Sequence, residues 1–260
     1  MTLPAPGYPR AAAVTPRLHV IETVDSTNAK LLRDAAQDPD GHPHLSVLVT
    51  RDQRAGRGRL DRSWNTPPGS AVAVSVLLRV GAIPTVARGW IPLVAGAAMT
   101  RAVAAQLPGV DVQLKWPNDV LADGLKISGI LAEVMPSDPQ AVVVGVGVNT
   151  TMTAEELPVP TATSFAAIGR TADEDRLLAD YLTALRDDIA ALAVADGDSA
   201  ALHARIEGLC ATIGSDVRVN LPDGVVLEGR AERLDPDGRL VVSTRGVETL
   251  VAAGDVVHVR

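Results

Sequence analysis

The sequence predicts an α+β fold, with a larger domain that mixes strands and helices and a smaller all-β domain after it. Segments of strand and helix character alternate over residues 18–209. Short strand-like segments separated by turn residues then fill residues 216–259. With 260 residues, 47% of them hydrophobic, the chain is long enough to bury the cores of both domains.

The elements of the larger domain follow from hydrophobic periodicity and capping residues. Residues 1–17 are rich in alanine and proline, and we expect a flexible leader there. Asp25 or Ser26 can cap the first helix, which ends near Gln37. The other predicted elements, in chain order, are strands at 18–24, 45–50 and 71–80, a helix at 89–107, strands at 112–116, 120–122, 125–134 and 141–148, and helices at 173–195 and 200–209.

The composition changes after the last helix. Strands are predicted at 216–221, 225–234, 240–243, 247–251 and 256–259. Pro-Asp-Gly at 222–224 and again at 236–238 marks two of the turns between them. Strands this short and this regularly spaced are typical of a small SH3-like barrel. We therefore predict domains at 18–212 and 213–260.

Charge and cysteine content exclude several classes of protein. The formal net charge of −7 argues against general nucleic-acid binding, which needs a basic surface. The single cysteine, Cys210, excludes an internal disulfide and fits a reducing compartment. No apolar run approaches the ~20 residues of a membrane span, and the N-terminus lacks a signal-peptide pattern. We therefore expect a cytoplasmic protein that binds neither nucleic acid nor membranes.

A basic segment at residues 51–64 is the strongest local feature. It contains five arginines and two glycines within fourteen residues of an otherwise acidic chain. Arg57 and Arg59 are two residues apart, so they face the same way if this segment is extended. Guanidinium groups bind planar oxyanions through paired hydrogen bonds, which favours an anionic, phosphate-bearing ligand. The alternative is a flexible basic surface loop.

A second group of polar residues ends a buried strand at Lys115-Trp116-Pro117-Asn118-Asp119. A two-residue turn at Asp123-Gly124 would pair Leu121 with Lys126 and Asp119 with Ser128. Asp119 and Lys126 would then be diagonal neighbours on one face of the sheet. Gly129 leaves room beside Lys126 for a ligand, although a structural salt bridge would explain the same pair.

Two further segments have both a structural and a functional interpretation. Ser26-Thr27-Asn28 opens the first helix, either as an ordinary N-cap or as a patch of small polar groups that binds a compact ring. Gly145 and Gly147 lie on one face of a strand that ends in Asn149. Glycine inside a strand marks a close approach, either by a packed helix or by a ligand.

Taken in order, these segments resemble the biotin protein ligases. The similarity also includes Gln53, Arg62-Ser63-Trp64, Gly129 to Glu133 and Ala162-Thr163-Ser164, and it extends over residues 18–260. The resemblance implies a catalytic domain related to class II aminoacyl-tRNA synthetases. It also implies ATP- and Mg²⁺-dependent formation of biotinyl-5′-AMP, followed by transfer to a lysine of a biotin carboxyl carrier domain of an acetyl-CoA, other acyl-CoA or pyruvate carboxylase.

The same resemblance implies roles for individual residues. Those expected to bind biotin are Ser26, Thr27, Asn28, Gln53, Gly56, Arg57, Arg59, Lys126, Gly129 and Ile130. Those expected to bind ATP are Arg62, Trp64, Lys115, Asn118, Asp119, Lys126 and Asn149. Lys126, Arg57, Arg59 and Asp119 are the expected catalytic residues, and Asp119 is also the expected protein contact of a magnesium ion held mostly by phosphates.

One residue departs from the family pattern, and the short N-terminal segment bears on which type of family member the chain resembles. Asp61 stands where the family usually has glycine, which bears on how the basic segment folds. Only about seventeen residues precede the first predicted strand, so we expect no N-terminal repressor domain, and we expect a monomer or weak dimer. The alternatives are a lipoate–protein ligase and a non-catalytic sensor of biotin or a nucleotide.

Overall fold

The structure, a computed structural model, describes residues 7–60, 62–194 and 198–259. The helices are α1 (Pro9–Ala13), α2 (Thr27–Gln37), α3 (Ile91–Ala104), α4 (Glu174–Ala193) and α5 (Asp198–Glu207). The strands of the larger domain are β1 (Arg17–Val20), β2 (Ser46–Thr50), β3 (Gly56–Arg57), β4 (Ser63–Trp64), β5 (Ala71–Arg79), β6 (Val112–Lys115), β7 (Asp119–Ala122), β8 (Leu125–Met135) and β9 (Asp138–Asn149). Those of the smaller domain are β10 (Asp216–Asn220), β11 (Val226–Leu234), β12 (Leu240–Thr244), β13 (Val247–Val251) and β14 (Asp255–His258).

A seven-stranded mixed sheet in the order β1-β2-β5-β9-β8-β7-β6 forms the centre of the larger domain. Strands β1 and β2 are parallel, and the other neighbours are antiparallel. One face contributes side chains such as Val74 and Val146 to the main core, together with Leu93 of α3 and Leu182 of α4. Helix α2 packs Leu31 and other apolar side chains against the opposite face. That helix covers only part of the face, and the remainder is the floor of a cleft.

Local sequence explains where the main elements begin. Ser26 caps α2 as predicted, since its Oγ accepts a hydrogen bond from the backbone N–H of Ala29 at 3.3 Å. Asp173 caps α4 in the same way. The helix expected at 89–107 is shorter, because residues Thr85–Trp90 form a 3-10 turn and Pro92 occupies the first turn of α3. In the part of the chain that the structure describes, no helix is long and apolar enough to cross a membrane.

The smaller domain is a five-stranded antiparallel sheet in the order β13-β12-β11-β10-β14, in agreement with the predicted SH3-like barrel. Two tryptophans of the larger domain hold the 236–238 turn of the smaller domain. Trp90 Nε1 donates to the carbonyl of Pro236 at 2.8 Å, and Trp116 Nε1 donates to the carbonyl of Gly238 at 3.2 Å. The smaller domain is thereby docked at one end of the cleft.

The expected flexible leader is wrong for residues 7–17, whereas residues 1–6 lie outside the described ranges. Tyr8 and Ala11 are buried, and α1 packs on α4. The hydroxyl of Tyr8 donates to Glu174 at 3.1 Å, and the backbone N–H groups of Arg10 and Ala11 donate to Asp175. Proline-rich composition alone predicted a loose segment, but Pro9 is compatible with the first turn of a helix.

Candidate active site

The cleft, with a volume of ≈ 500 Å³, lies on the sheet face beside α2. Directly opposed residues on neighbouring strands share a face of the sheet. In one row across β5, β9, β8, β7 and β6, the successive partners are Ala73, Gly147, Gly129, Asp119 and Lys115. The floor therefore has almost no side-chain volume at its centre and two charged groups at one end.

The two glycines of this row make room for the indole of Trp64. A Cβ atom on Gly147 would lie 2.6 Å from Cε2 of Trp64, and one on Gly129 would lie 3.2 Å from Cζ3. The Lys126 ammonium is 5.6 Å from the centre of the same ring, within cation–π range. The close approach predicted at Gly147 is therefore made by a side chain of the basic segment, whereas at Gly145 it is made by Asn28 of the packed helix α2.

Lys126 and Asp119 lie close together on one face of the sheet as predicted, and they form the salt bridge that was the structural alternative, with Nζ 2.6 Å from Oδ1. The predicted register is wrong on one point, because Asp119 pairs with Gly129 rather than Ser128. A β-bulge between Lys126 and Ser128 adds one residue to β8 and reverses the alternation beyond it. Gly129 thereby faces the cleft, where a Cβ atom would lie 3.1 Å from Nζ of Lys126.

The basic segment folds as a short hairpin over this floor. Gly56 pairs with Trp64 and Arg57 with Ser63, and the N–H of Gly58 donates to the carbonyl of Arg62 at 2.6 Å. The segment is extended at Arg57 but not as far as Arg59, so the condition under which these two arginines would face the same way is not met. Asp61 lies outside the described residues.

The arginines of the hairpin reach different walls of the cleft. Arg57 Nη2 contacts Glu133 on β8 at 3.0 Å, whereas Arg59 Nη1 donates to Oδ1 of Asn118 at 3.1 Å. Arg62 forms an ion pair with Asp255 of the smaller domain. Burial lowers the pKa of Arg59, and the nearby Asp255 and Asp119 carboxylates partly offset this effect.

The start of α2 and Gln53 form the wall next to the hairpin. The backbone N–H and the hydroxyl of Thr27 both donate to Oε1 of Gln53, at 2.8 and 3.0 Å. Gly56 is buried, and a Cβ atom there would collide with the Gln53 side chain and the Trp64 carbonyl. Gly56 therefore supports this wall from behind.

Most of the residues predicted from the sequence line the cleft together. They are Ser26, Thr27, Asn28, Gln53, Arg57, Arg59, Arg62, Trp64, Lys115, Asn118, Asp119, Lys126, Gly129 and Ile130. Two predicted residues are not part of its lining, Gly56 and Asn149. Asn149 is buried and donates to the carbonyl of Thr163 at 2.9 Å, so it holds the chain that follows β9.

Sequence analysis missed several residues of the site. The smaller domain contributes Asn220, Asp255, Val256 and Val257 to the cleft, and nothing in their local sequence indicates this. The 150–170 loop contributes Thr161, whose carbonyl accepts from the N–H of Lys126 at 2.8 Å. Glu133, noted only as part of a motif, is the partner of Arg57.

The charges in the cleft suit an anionic ligand. Lys115, Lys126 and the hairpin arginines converge on it, opposed by the carboxylates of Asp119 and Asp255. Burial lowers the pKa of Lys115, an effect that Asp119 opposes and Lys126 reinforces. No group of three or more His, Cys, Asp or Glu side chains among the described residues could hold a metal ion.

Comparisons with known proteins agree with this architecture. A model of the Biotin/lipoate A/B protein ligase family matches residues 20–149, and a model of the Biotin protein ligase C terminal domain matches residues 212–259. A biotin–[acetyl-CoA-carboxylase] ligase of Mycobacterium tuberculosis is 42% identical over 94% of this chain and 90% of its own length. A bifunctional ligase/repressor of Escherichia coli is 30% identical over 88% of this chain and 70% of its own length.

Among solved structures, the biotin protein ligase of Aquifex aeolicus in complex with biotin and ATP has the same fold. It superposes with a TM-score of 0.77 at 24% identity and covers 94% of this chain and 99% of its own. The family models together match both domains, and the bacterial ligase from Mycobacterium tuberculosis is similar over nearly the whole length. The chain therefore belongs to the biotin/lipoate A/B protein ligase family and, within it, to the biotin protein ligases.

Proposed function

We propose that this chain joins biotin to the adenylyl group of ATP, forming biotinyl-5′-AMP and releasing pyrophosphate, and then transfers the biotinyl group to a lysine of a carrier domain with release of AMP. The observation that carries this proposal is the position of Lys126. Its ammonium lies over a glycine floor, under a hairpin with three arginines, in a cleft that also contains Lys115. Such a site can bring together two anions that would otherwise repel each other.

The first step requires a carboxylate to attack an α-phosphate. Positioning and charge stabilisation account for most of the catalysis in phosphoryl transfer, and the same demands apply to adenylyl transfer. In this proposal Lys126 lies between the biotin carboxylate and the α-phosphate, and Arg57 and Arg59 close on the same groups. Ser26, Thr27 and Gln53 bind the biotin ring system, since they present small donors and acceptors on one wall.

The nucleotide is assigned to the other end of the cleft. Arg62, Lys115 and Asn118 line that end with Asp255 of the smaller domain. Asn149 is not included among the proposed contacts, because its side chain is buried against the chain at Thr163. Magnesium, when bound with ATP, would neutralise charge on the leaving pyrophosphate, and Asp119 is the proposed protein contact.

The second step requires a neutral lysine amine from the acceptor. Asp119 is the carboxylate closest to Lys126 and is assigned the role of orienting the incoming ammonium and accepting its proton. The mixed anhydride hydrolyses in water, so the hairpin that covers the floor would also exclude solvent.

The proposed acceptor is a biotin carboxyl carrier domain, first of all that of acetyl-CoA carboxylase. The relative from Mycobacterium tuberculosis carries that substrate in its name. Carrier domains of other acyl-CoA carboxylases and of pyruvate carboxylase are the further candidates. We place the reaction in the cytoplasm, where ATP is available, and predict a monomer or weak dimer, which sedimentation would test.

The decisive experiment is incubation with Mg-ATP and a carrier domain, in parallel with biotin or lipoate, followed by mass measurement of the domain. We expect a mass increase of one biotinyl group with biotin and none with lipoate. A lipoyl adduct would instead identify a lipoate ligase. Tight biotin binding in calorimetry without an adenylate or an adduct would identify a sensor.

A further inference from the structure

Arg57 is connected to the sheet beneath it by a chain of hydrogen bonds. Its Nη2 donates to Oε2 of Glu133 at 3.0 Å, and the same oxygen accepts from Nδ2 of Asn28 at 2.8 Å. Oδ1 of Asn28 accepts in turn from the hydroxyl of Ser75 at 2.6 Å. The connected groups are thus Ser75 of β5, Asn28 of α2, Glu133 of β8 and Arg57 of the hairpin.

The inner end of this chain is buried and the outer end is exposed. Ser75 and Asn28 are buried, the Glu133 side chain is 23% exposed, and that of Arg57 is 45% exposed. Gly145 makes room for Asn28, because a Cβ atom at this position would collide with the Asn28 amide. The sheet and α2 therefore fix Glu133 before any ligand is bound.

Asn28 has no N–H group left to donate to a ligand. One of its two N–H groups is used by Glu133 and the other by the carbonyl of Leu131 at 3.1 Å. In this geometry the expected contact of Asn28 with biotin would therefore not be an N–H donation. Its contacts point to a role in holding another residue.

We propose that Glu133 is a positioning residue for biotin binding that acts through Arg57, with Asn28 and Ser75 holding Glu133 in turn. The inference rests on the proposed function of the same site. An arginine already held in its bound orientation loses less side-chain entropy when the ligand arrives, so affinity rises without a new contact to the ligand. The effect is specific to biotin, because the polar partners of Glu133 are Asn28 and Arg57 rather than residues assigned to ATP.

Calorimetry with biotin on the full-length protein tests this proposal through Glu133→Gln and Ser75→Ala. We expect Glu133→Gln to weaken biotin affinity about tenfold, since the neutral amide removes the charge from the hydrogen bond that holds the Arg57 guanidinium. Ser75→Ala, which acts through two intermediates, should weaken it about threefold. The KM for ATP should stay within about twofold of wild type. Asp138→Asn is the matched control. It removes the ion pair between Asp138 of β9 and Arg79 of β5, which lies away from the cleft, and it should not change biotin affinity.

A double mutant separates positioning from a general structural effect. In an Arg57→Ala background, Glu133→Gln should change biotin affinity by less than about twofold, because there is no guanidinium left to position. An undiminished tenfold effect in that background, an equal loss of ATP affinity, or wild-type biotin affinity in Glu133→Gln would each overturn the inference. A wild-type protein that binds no biotin would instead overturn the proposed function itself.

Discussion

Lys126 is the residue whose truncation should cost catalysis most. Lys126→Ala removes the cation proposed to lie between the biotin carboxylate and the α-phosphate. We expect a folded protein whose biotin-dependent pyrophosphate–ATP exchange falls by a factor of about 100 or more, or about 3 kcal/mol in the transition state. Lys30→Ala is the control, since Lys30 pairs with Asp34 on α2. Exchange near the wild-type rate in Lys126→Ala would contradict the assignment.

Gly147 should tolerate no side chain, because Trp64 occupies the space above it. An added methyl would lie 2.6 Å from Cε2 of Trp64, so in Gly147→Ala the indole must shift away from the floor. We expect a KM for ATP, the ligand to which Trp64 is assigned, at least about tenfold higher, with a loss of stability near 1–3 kcal/mol from overpacking. Kinetics and urea unfolding measure the two effects. Gly208→Ala is the control, since its nearest neighbour would be 3.4 Å away, and a Gly147→Ala protein with unchanged KM would refute this packing argument.

The hairpin is the element whose order should depend most on ligand. Among the described residues of the hairpin, two pairs join β3 to β4, Gly56 with Trp64 and Arg57 with Ser63, and such short ladders are marginally stable alone. We expect amide hydrogen exchange in residues 54–60 to slow when biotin or biotinyl-5′-AMP binds, because ligand contacts close the hairpin over the floor. Strand β12, in the smaller domain, serves as the internal reference. Equal exchange with and without ligand would rule out a lid.

Sequence analysis predicted most elements of the fold, because their apolar periods and caps are local signals. The register between β7 and β8 was predicted only in part. The Asp123-Gly124 turn correctly paired Leu121 with Lys126, but a bulge is chosen by packing of the whole strand and has no local signature. That Asp119 and Lys126 are neighbours was still predicted correctly, since they share a face in either register. The orientation of Gly129 toward the cleft was not predicted.

The site was predicted only where its residues occur in dense local motifs. Arg57, Lys126 and Asp119 occurred in such motifs. Glu133 did not, because a single glutamate on a strand reveals its role only through its contact with the hairpin arginine. Asp255 and Asn220 come from the smaller domain, and their place in the cleft depends on how the two domains dock.

At the scale of the whole molecule, the three tryptophans of the chain connect the two domains to the cleft. Trp90 and Trp116 hold the 236–238 turn of the smaller domain, and Trp64 lies on the glycine floor. The hairpin contacts the smaller domain as well, through the ion pair between Arg62 and Asp255. Docking of the smaller domain is therefore part of how the nucleotide end of the cleft is formed.

This docking should make stability depend on pH through His203. The imidazole stacks on Trp90, with ring centres 3.7 Å apart and an interplanar angle of 3°. Burial lowers the pKa of His203, although Glu207 partly opposes this effect. Because the folded state disfavours the protonated ring, the unfolded chain binds more protons below about pH 6.5, and stability falls as pH decreases through that value.

We therefore expect His203→Phe, which keeps an aromatic ring on Trp90 without a titrating group, to lose less stability than wild type between pH 7.5 and 5. Burial also lowers the pKa values of His44 and His258, so some dependence on pH should remain in the variant. Urea unfolding at a series of pH values measures the slope. Val86→Ala is the control, since Val86 is an exposed residue without a titrating group in the same 3-10 turn as Trp90, and it should leave the wild-type slope unchanged. The same slope in His203→Phe as in wild type would show that protonation of His203 does not weaken the docked state.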